Sequence, residues 1–198
     1  MTRRAGTANR ASFDPQPTLA GDLLHLRPLR ADDFEALFRV ASDPRIWEQH
    51  PEPERCHEPV FRKFFRDALD SGGALVAVHA ATGEIIGSSR YNWADLKVGP
   101  DDDHGCGDHG DELEIGWSFL ARGYWGGVYN REMKRLMLEY AFQFVDRVIF
   151  VVGVDNVRSR KAMLNIGGVL TDRRVAQALP AVRSESVIFE IAKDRWSG

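Results

Sequence analysis

Cysteine is scarce in this chain. The 198 residues contain two, Cys56 and Cys106, at a spacing that fits neither a zinc site nor a thioredoxin motif, so a reducing cytoplasm is the expected compartment. No apolar run approaches the roughly 20 residues that cross a bilayer, which excludes a helical membrane anchor from the expectations. The formal charge of -3 lacks the basic excess of a nucleic-acid binder. No GlyLysSer or GlyLysThr is present to hold nucleotide phosphates and magnesium, and the dinucleotide GxGxxG fingerprint is absent. There is no internal repeat. The opening MTRRAGTANRAS carries arginines without the apolar core of a secretory signal. Residues 1–20 therefore read as a flexible leader, and 21–198 as one domain long enough to bury a substantial core.

What the chain does have is a regular succession of periodic segments. Leu23–Leu29 alternates like a strand, and Asp32 and Asp33 precede apolar residues at helical spacing through Ala41. Val60, Phe61, Phe64, Phe65 and Leu69 mark a second helix, stopped by Gly72 and Gly73. Ala74–His79 and Glu84–Tyr91 form a hairpin around Ala81, Thr82 and Gly83. The polar PDDDHGCGDHGDE, Pro100–Glu112, reads as an exposed excursion before the strand Leu113–Phe119. Met133, Leu136, Met137, Tyr140, Ala141 and Phe144 define a helix. Val148–Val154 is a buried strand, Ser159–Ile166 a shorter helix, and strands near Val169–Ala176 and Ser186–Ile191 close the pattern. The expected fold is α+β, a central mixed sheet flanked by about four helices, with the segment 113–154 supplying a crossover between parallel neighbours.

The ten residues ARGYWGGVYN, Ala121–Asn130, join a strand to a helix through consecutive glycines. Glycine lets backbone approach an anion closely, and the helix start adds unpaired N–H groups and the positive end of the dipole. This points to a pyrophosphate-bearing ligand; a tight turn with no ligand is the plainer alternative.

Taken in order, LRPLRADDFEALF, LEIGWSF, YWGGVYNREMKRLMLEYAF and VDNVRSRKAMLNIGGV resemble the GNAT superfamily of acyl-CoA-dependent N-acetyltransferases, specifically its RimJ/RimL-like branch. The resemblance covers roughly Leu23–Ile191 and implies the GNAT fold and acetyl-CoA as acyl-donor co-substrate, with no metal. It places the family's pyrophosphate loop on Trp125, Gly126, Gly127, Val128, Tyr129 and Asn130. Val128 stands where the family has its central glycine and Asn130 where it has a final small residue, as if glycine had moved by one place. The implied activity is acetyl transfer to a primary amine, of a protein N-terminus or a small molecule, by direct attack on the thioester. A non-catalytic acyl-CoA-binding or regulatory domain is the rival reading. A homodimer is left open.

The resemblance also suggests roles for individual residues. Glu114 lies eleven positions before Trp125, the offset of the catalytic glutamate in histone-acetylating relatives, and is the candidate general base; a solvated strand-face charge is the alternative. Alternation places Glu112, Glu114 and Gly116 on one face and Leu113, Ile115 and Trp117 on the other. Backbone groups of Ser118, Phe119 and Leu120 are candidate oxyanion and pantetheine partners, because the family splays this strand. Asn156 and Ser159 match its AsnXxxXxxSer, the Asn for CoA and the Ser for the thiolate, although both also suit a helix cap. Met163 occupies the place of the tyrosine acid found in many members. His104, Cys106, Asp108 and His109 fit no defensible metal pattern; a solvated loop, or one that attracts cationic substrates, fits them better. Trp47, Tyr91, Trp93 and Tyr124 are candidates for an acceptor-pocket wall, or for core.

Overall fold

The computed structural model describes residues 12–94, 112–178 and 183–198. Eight strands, β1 (Leu19–Ala20), β2 (Leu24–Pro28), β3 (Ala74–His79), β4 (Ile85–Ala94), β5 (Glu112–Leu120), β6 (Arg147–Gly153), β7 (Val169–Ala178) and β8 (Arg183–Ala192), form one sheet in the order β1-β2-β3-β4-β5-β6-β8-β7. The helices are α1 (Phe34–Ala41), α2 (Glu58–Asp70), α3 (Val128–Ala141) and α4 (Val157–Asn165). The α+β mixed-sheet expectation is met, and the segment from β5 through α3 to β6 joins parallel neighbours.

Both faces of the sheet are covered, and β3 shows how. Leu75 and Ala77 pack on the side of α3, among Leu24, Leu26, Met133 and Met137. Ala74, Val76 and Val78 pack on the side of α1 and α2, among Phe34, Leu37, Phe61 and Phe65. A strand covered on two faces needs small or branched apolar residues at every position, which Ala74–Val78 supply.

The expected boundary at residue 20 falls inside packed chain. Phe13 is buried, edge-on to Tyr91 and Trp93 with ring centroids at 5.2 and 5.5 Å. Leu19 and Ala20 pair with Leu26 and His25 as an eighth strand. Two residues are too short to display an alternation, which is why the strand escaped the sequence reading. The polar excursion lies outside the described residues except for Glu112, whose carboxylate takes two bonds from Arg173 at 2.8 and 2.7 Å. His104, Cys106, Asp108 and His109 lie outside them too.

Two departures from regular pairing open the middle of the sheet. In β5, Trp117 and Ser118 together oppose the single residue Ser89 of β4, a bulge with Trp117 at φ +52°. The bulge reverses the strand's facing: Leu113 and Ile115 lie in the α3-side core, whereas Trp117 and Phe119 join the α1–α2 side. This corrects the simple alternation that grouped Trp117 with Ile115. Secondly, β5 pairs with β6 only at Leu113↔Val148 and Glu114↔Ile149. Beyond that point the two strands diverge, leaving a wedge-shaped opening between Ile115–Leu120 and Phe150–Gly153.

Candidate active site

The opening leads into a cleft of about 580 Å³ between the glycine loop, the end of β5 and the head of α4. Ser118, Phe119, Leu120, Trp125, Gly126, Gly127, Asn130, Asn156 and Ser159, separated by up to 41 positions in sequence, all line it. Val128 and Tyr129 do not. Val128 is 60% exposed, and the Tyr129 hydroxyl meets His79 Nε2 at 3.0 Å while its ring packs edge-on against Tyr124. Only main-chain N–H groups of those two residues remain as ligand candidates.

The loop's geometry explains its glycines. Gly126 and Gly127 have φ of +97° and +126°, values that L side chains rarely adopt. A side chain at either place would meet nothing within 4 Å, so the backbone angle, and not space, demands glycine. Val128 is the first residue of α3 and needs no such freedom. Gly127 caps α3 without any side-chain hydrogen bond, which leaves the helix's first N–H groups and its dipole to an external anion. Trp125 pins the loop: its indole N–H donates to the Leu120 carbonyl at 2.9 Å, and the Arg158 guanidinium lies 4.2 Å from its ring. Arg158 also donates to the carbonyls of Arg45 and Ile46, at 3.2 and 2.6 Å, holding the head of α4 to the 45–49 segment.

Arg131, Arg158 and Lys161 line this cleft, and among the described residues no Asp or Glu does. These cations escaped the sequence reading, yet a signal was there. VRSRK puts three basic residues in the first turns of α4, where the helix dipole disfavours positive charge. Such a cost suggests a use.

A second chamber of about 150 Å³ adjoins the first and shares with it Trp47, His50, Ser118, Asn130, Asn156 and Ser159. It occupies the wedge between β5 and β6, and Met163 lies on its wall. Trp47 and Tyr124 thus border the cavities, whereas Tyr91 and Trp93 belong to the core. The Tyr91 hydroxyl is spent on the Met137 carbonyl at 2.7 Å, and Trp93 packs on Phe13.

Glu114 sits at the apex of the wedge, 7% exposed, and forms no part of either cavity wall. Its carboxyl folds over Gly116, where a Cβ would come within 2.7 Å of Oε1. It is bonded by the Asn92 side chain and by the Val151 backbone N–H, a donor just beyond the last β5–β6 residue pair. Burial pushes its pKa up to about 7, against the opposing pull of these hydrogen bonds, Arg90 and Lys134. Lys134 on α3 is 1% exposed, its Nζ on the hydroxyls of Ser118 and, at 3.4 Å, Ser89. Burial lowers its pKa to about 7, with Glu114 pulling the other way. Lys134 was not legible in sequence, because REMKR looks like the charged flank of an amphipathic helix. Asn156 is an N-cap, its Oδ1 accepting from Ser159 N–H at 3.0 Å, and it lines both cavities as well.

Among the described residues no group of three His, Cys, Asp or Glu is placed to hold a metal, and no helix is long and apolar enough to cross a membrane.

Known structures share this architecture. A probable GNAT-family acetyltransferase from Chromobacterium violaceum superposes with a TM-score of 0.73 at 20% identity, covering 100% of this chain and 93% of its own. A GCN5-related N-acetyltransferase from Brucella melitensis gives 0.72 at 17%, covering 94% and 85%. Mycobacterium smegmatis RimJ, solved in complex with CoA-disulfide, gives 0.61 at 18%, covering 90% and 88%. At these identities the likeness is one of fold. The sequence itself matches the family described as Acetyltransferase (GNAT) domain over residues 24–169, and the chain belongs to that family.

Proposed function

We propose that this domain is an acetyl-CoA-dependent N-acetyltransferase that carries an acetyl group to a primary amine by direct attack on the thioester, in the RimJ/RimL-like manner and in the cytoplasm. The observation that carries the reading is the uncapped start of α3 behind Gly126 and Gly127, in a cleft walled, among the described residues, by three cations and no carboxylate. That arrangement suits the diphosphate of CoA, which helix N–H groups and Arg131, Arg158 or Lys161 would neutralise together. The free edge of β5 from Ile115 to Leu120 offers backbone groups to the pantetheine arm and to the oxygen that gains charge on the thioester carbon.

Amine attack needs a proton removed. An α-amino group, with a pKa near 8, asks less of a base than a lysine near 10.4. Glu114 has its pKa near 7, suited to accept that proton at neutral pH, and with its carboxyl folded over Gly116 at the chamber wall it would reach the amine through water. The amine nitrogen bonds to the carbonyl carbon as the carbon–sulfur bond breaks. Ser159, lining both cavities, hydrogen-bonds the departing thiolate.

Calorimetry with CoA and acetyl-CoA, followed by free-thiol release over an amine panel, tests this. Uptake in the micromolar range with amine-dependent release is the expected result. No uptake at about 1 mM on folded protein sinks the proposal. Uptake without transfer to any amine favours a non-catalytic acyl-CoA-binding domain.

A further inference from the structure

The small chamber has a cationic wall and an unpaired hydroxyl that acetyl transfer to a neutral amine does not use. Arg55 and Lys134 line it, and among the described residues no Asp or Glu does. His50, on the same wall, stays neutral because burial and the nearby Arg55 and Arg158 hold its pKa down near 3. Behind Trp117, Arg90 is buried with its guanidinium 4.5 Å from the indole and its Nε without a hydrogen-bond partner among the described residues. Three carboxylates are near, none of them on the chamber wall: Glu52, bonded to Arg55, Asp67, within charge–charge range of Arg55 and Arg90, and Glu114 beside Lys134. With all three ionised the charges of these described residues balance, yet the two cations on the wall face a space that no described acid lines, and an anion entering it would offset part of the cost of their burial.

A second observation is independent of charge. Ser186 on β8 is 1% exposed and lines the chamber, and its Oγ has no hydrogen-bond partner among the described residues. A buried hydroxyl without a partner is uncommon and costs stability. The chamber therefore presents a cationic and an unfilled hydroxyl donor around a space that would hold about five waters, or a comparable number of heavy atoms.

We infer that the small chamber binds a carboxylate belonging to one of the two substrates, held by Lys134, Arg55 and Ser186. This rests on the acyltransferase reading above, since it is that reading which puts the reacting carbon beside the chamber, at Ser118 and Ser159. The carboxylate comes either from the acceptor, an amine bearing its own acid group such as an α-amino acid, or from the donor, a dicarboxylic monoacyl-CoA whose terminal acid enters the wedge. A carboxylate a few bonds from the reacting carbon fits the chamber's size from either side.

The test crosses two donors, acetyl-CoA and succinyl-CoA, with α-amino acids and their α-amides, using the full chain and free thiol as the readout. A kcat/KM ratio of acid over amide of about fivefold or more supports the inference and assigns the carboxylate to the acceptor. A ratio of succinyl over acetyl of about fivefold or more, measured with the amides, supports it and assigns the carboxylate to the donor. Smaller ratios in both directions, or CoA uptake with no transfer in any combination, overturn it. Transfer at those smaller ratios leaves the acyltransferase reading intact, whereas absence of CoA uptake removes that reading and the inference together. In Lys134→Met, of similar volume and no charge, the ratio is expected to fall about tenfold. Ser186→Ala, which removes a hydroxyl the fold does not use, is expected to lower it about threefold and serves should the lysine variant fail to fold.

Discussion

Glu132 and Glu114 are both more than nine-tenths buried, and the chain treats them in opposite ways. Glu132, one turn into α3, is wrapped by the turn before β2. The backbone N–H groups of Asp22, Leu23 and Leu24 donate to its carboxylate at 3.0, 2.8 and 2.8 Å, and Gly21 has no side chain because a Cβ would strike the carboxyl at 2.7 Å. Three backbone donors saturate the charge and fasten α3 to the sheet. Glu114, at the parting of β5 and β6, has one backbone donor and one side-chain donor and a pKa raised to about 7. A saturated carboxylate holds a fold together; an under-satisfied one keeps its proton exchangeable, which suits a base.

The largest expected effect breaks the first half of this contrast. Glu132→Ala strands three backbone N–H groups and is expected to cost about 4 kcal/mol in chemical denaturation. A cost below about 1 kcal/mol would show that the turn finds other acceptors. Protein that does fold should keep its kcat within about threefold, because the carboxylate lies on the far side of α3 from the cleft.

Glu114→Gln should invert that pattern. Removing the proposed base is expected to lower kcat about 100-fold with little loss of stability. The sign of the pH dependence follows from the raised pKa. The folded chain keeps a proton that the unfolded chain releases, so Glu114 makes the fold less stable as pH rises from 4.5 to about 7. The Gln variant should lose that part of the pH dependence and stand above wild type near neutrality. Wild-type kcat/KM should rise through pH 7 as Glu114 ionises, and that limb should be missing in the variant. A Gln variant that turns over at the wild-type rate under conditions where chemistry is limiting would end the base assignment.

How far this contrast could be read from sequence differs along the chain. The helices and the longer strands were legible because their apolar periods run for five residues or more. The turn between β5 and α3 was legible because consecutive glycines stand between an apolar strand and an amphipathic helix. Side-chain alternation failed at Trp117, where a non-glycine residue adopts φ +52° and no residue type announces a bulge. Glu132, Lys134 and Arg55 were silent for a different reason. A charge on a helix flank reads as solvated until the sheet is assembled, and only the meeting of α3 with β2 and with the wedge buries the first two. The gathering of Glu114, Lys134 and Ser118 is a property of the split, set by β6 parting from β5.

The same contrast, backbone donors filled from inside or left for a ligand, recurs at the start of α3. The amides behind Gly127 have no side-chain cap, whereas those of Asp22 to Leu24 grip Glu132. Gly127→Ala forces an L residue toward φ +126°, so the loop must shift or bear strain of about 1–3 kcal/mol. CoA affinity measured by calorimetry is expected to fall about tenfold, with kcat at saturating acetyl-CoA much less affected. Unchanged affinity would mean that the cleft's cations carry the diphosphate without the helix start.

The head of α4 offers the finest version of the comparison, in two residues three positions apart. Asn156 fills a helix N–H from within, through Oδ1 to Ser159 N; Ser159 lines both cavities, where its hydroxyl is proposed to meet the thiolate. Asn156→Ala should therefore cost about 1 kcal/mol of stability, as lost caps do, and weaken CoA binding by loosening the helix head. Ser159→Ala should leave the denaturation midpoint in place and lower kcat about threefold, the effect growing with the thiol pKa of the leaving group. If the two variants exchange signatures, with the serine governing stability and the asparagine governing turnover, then the internal bond at 3.0 Å is incidental and Asn156 is the residue that faces the reacting sulfur.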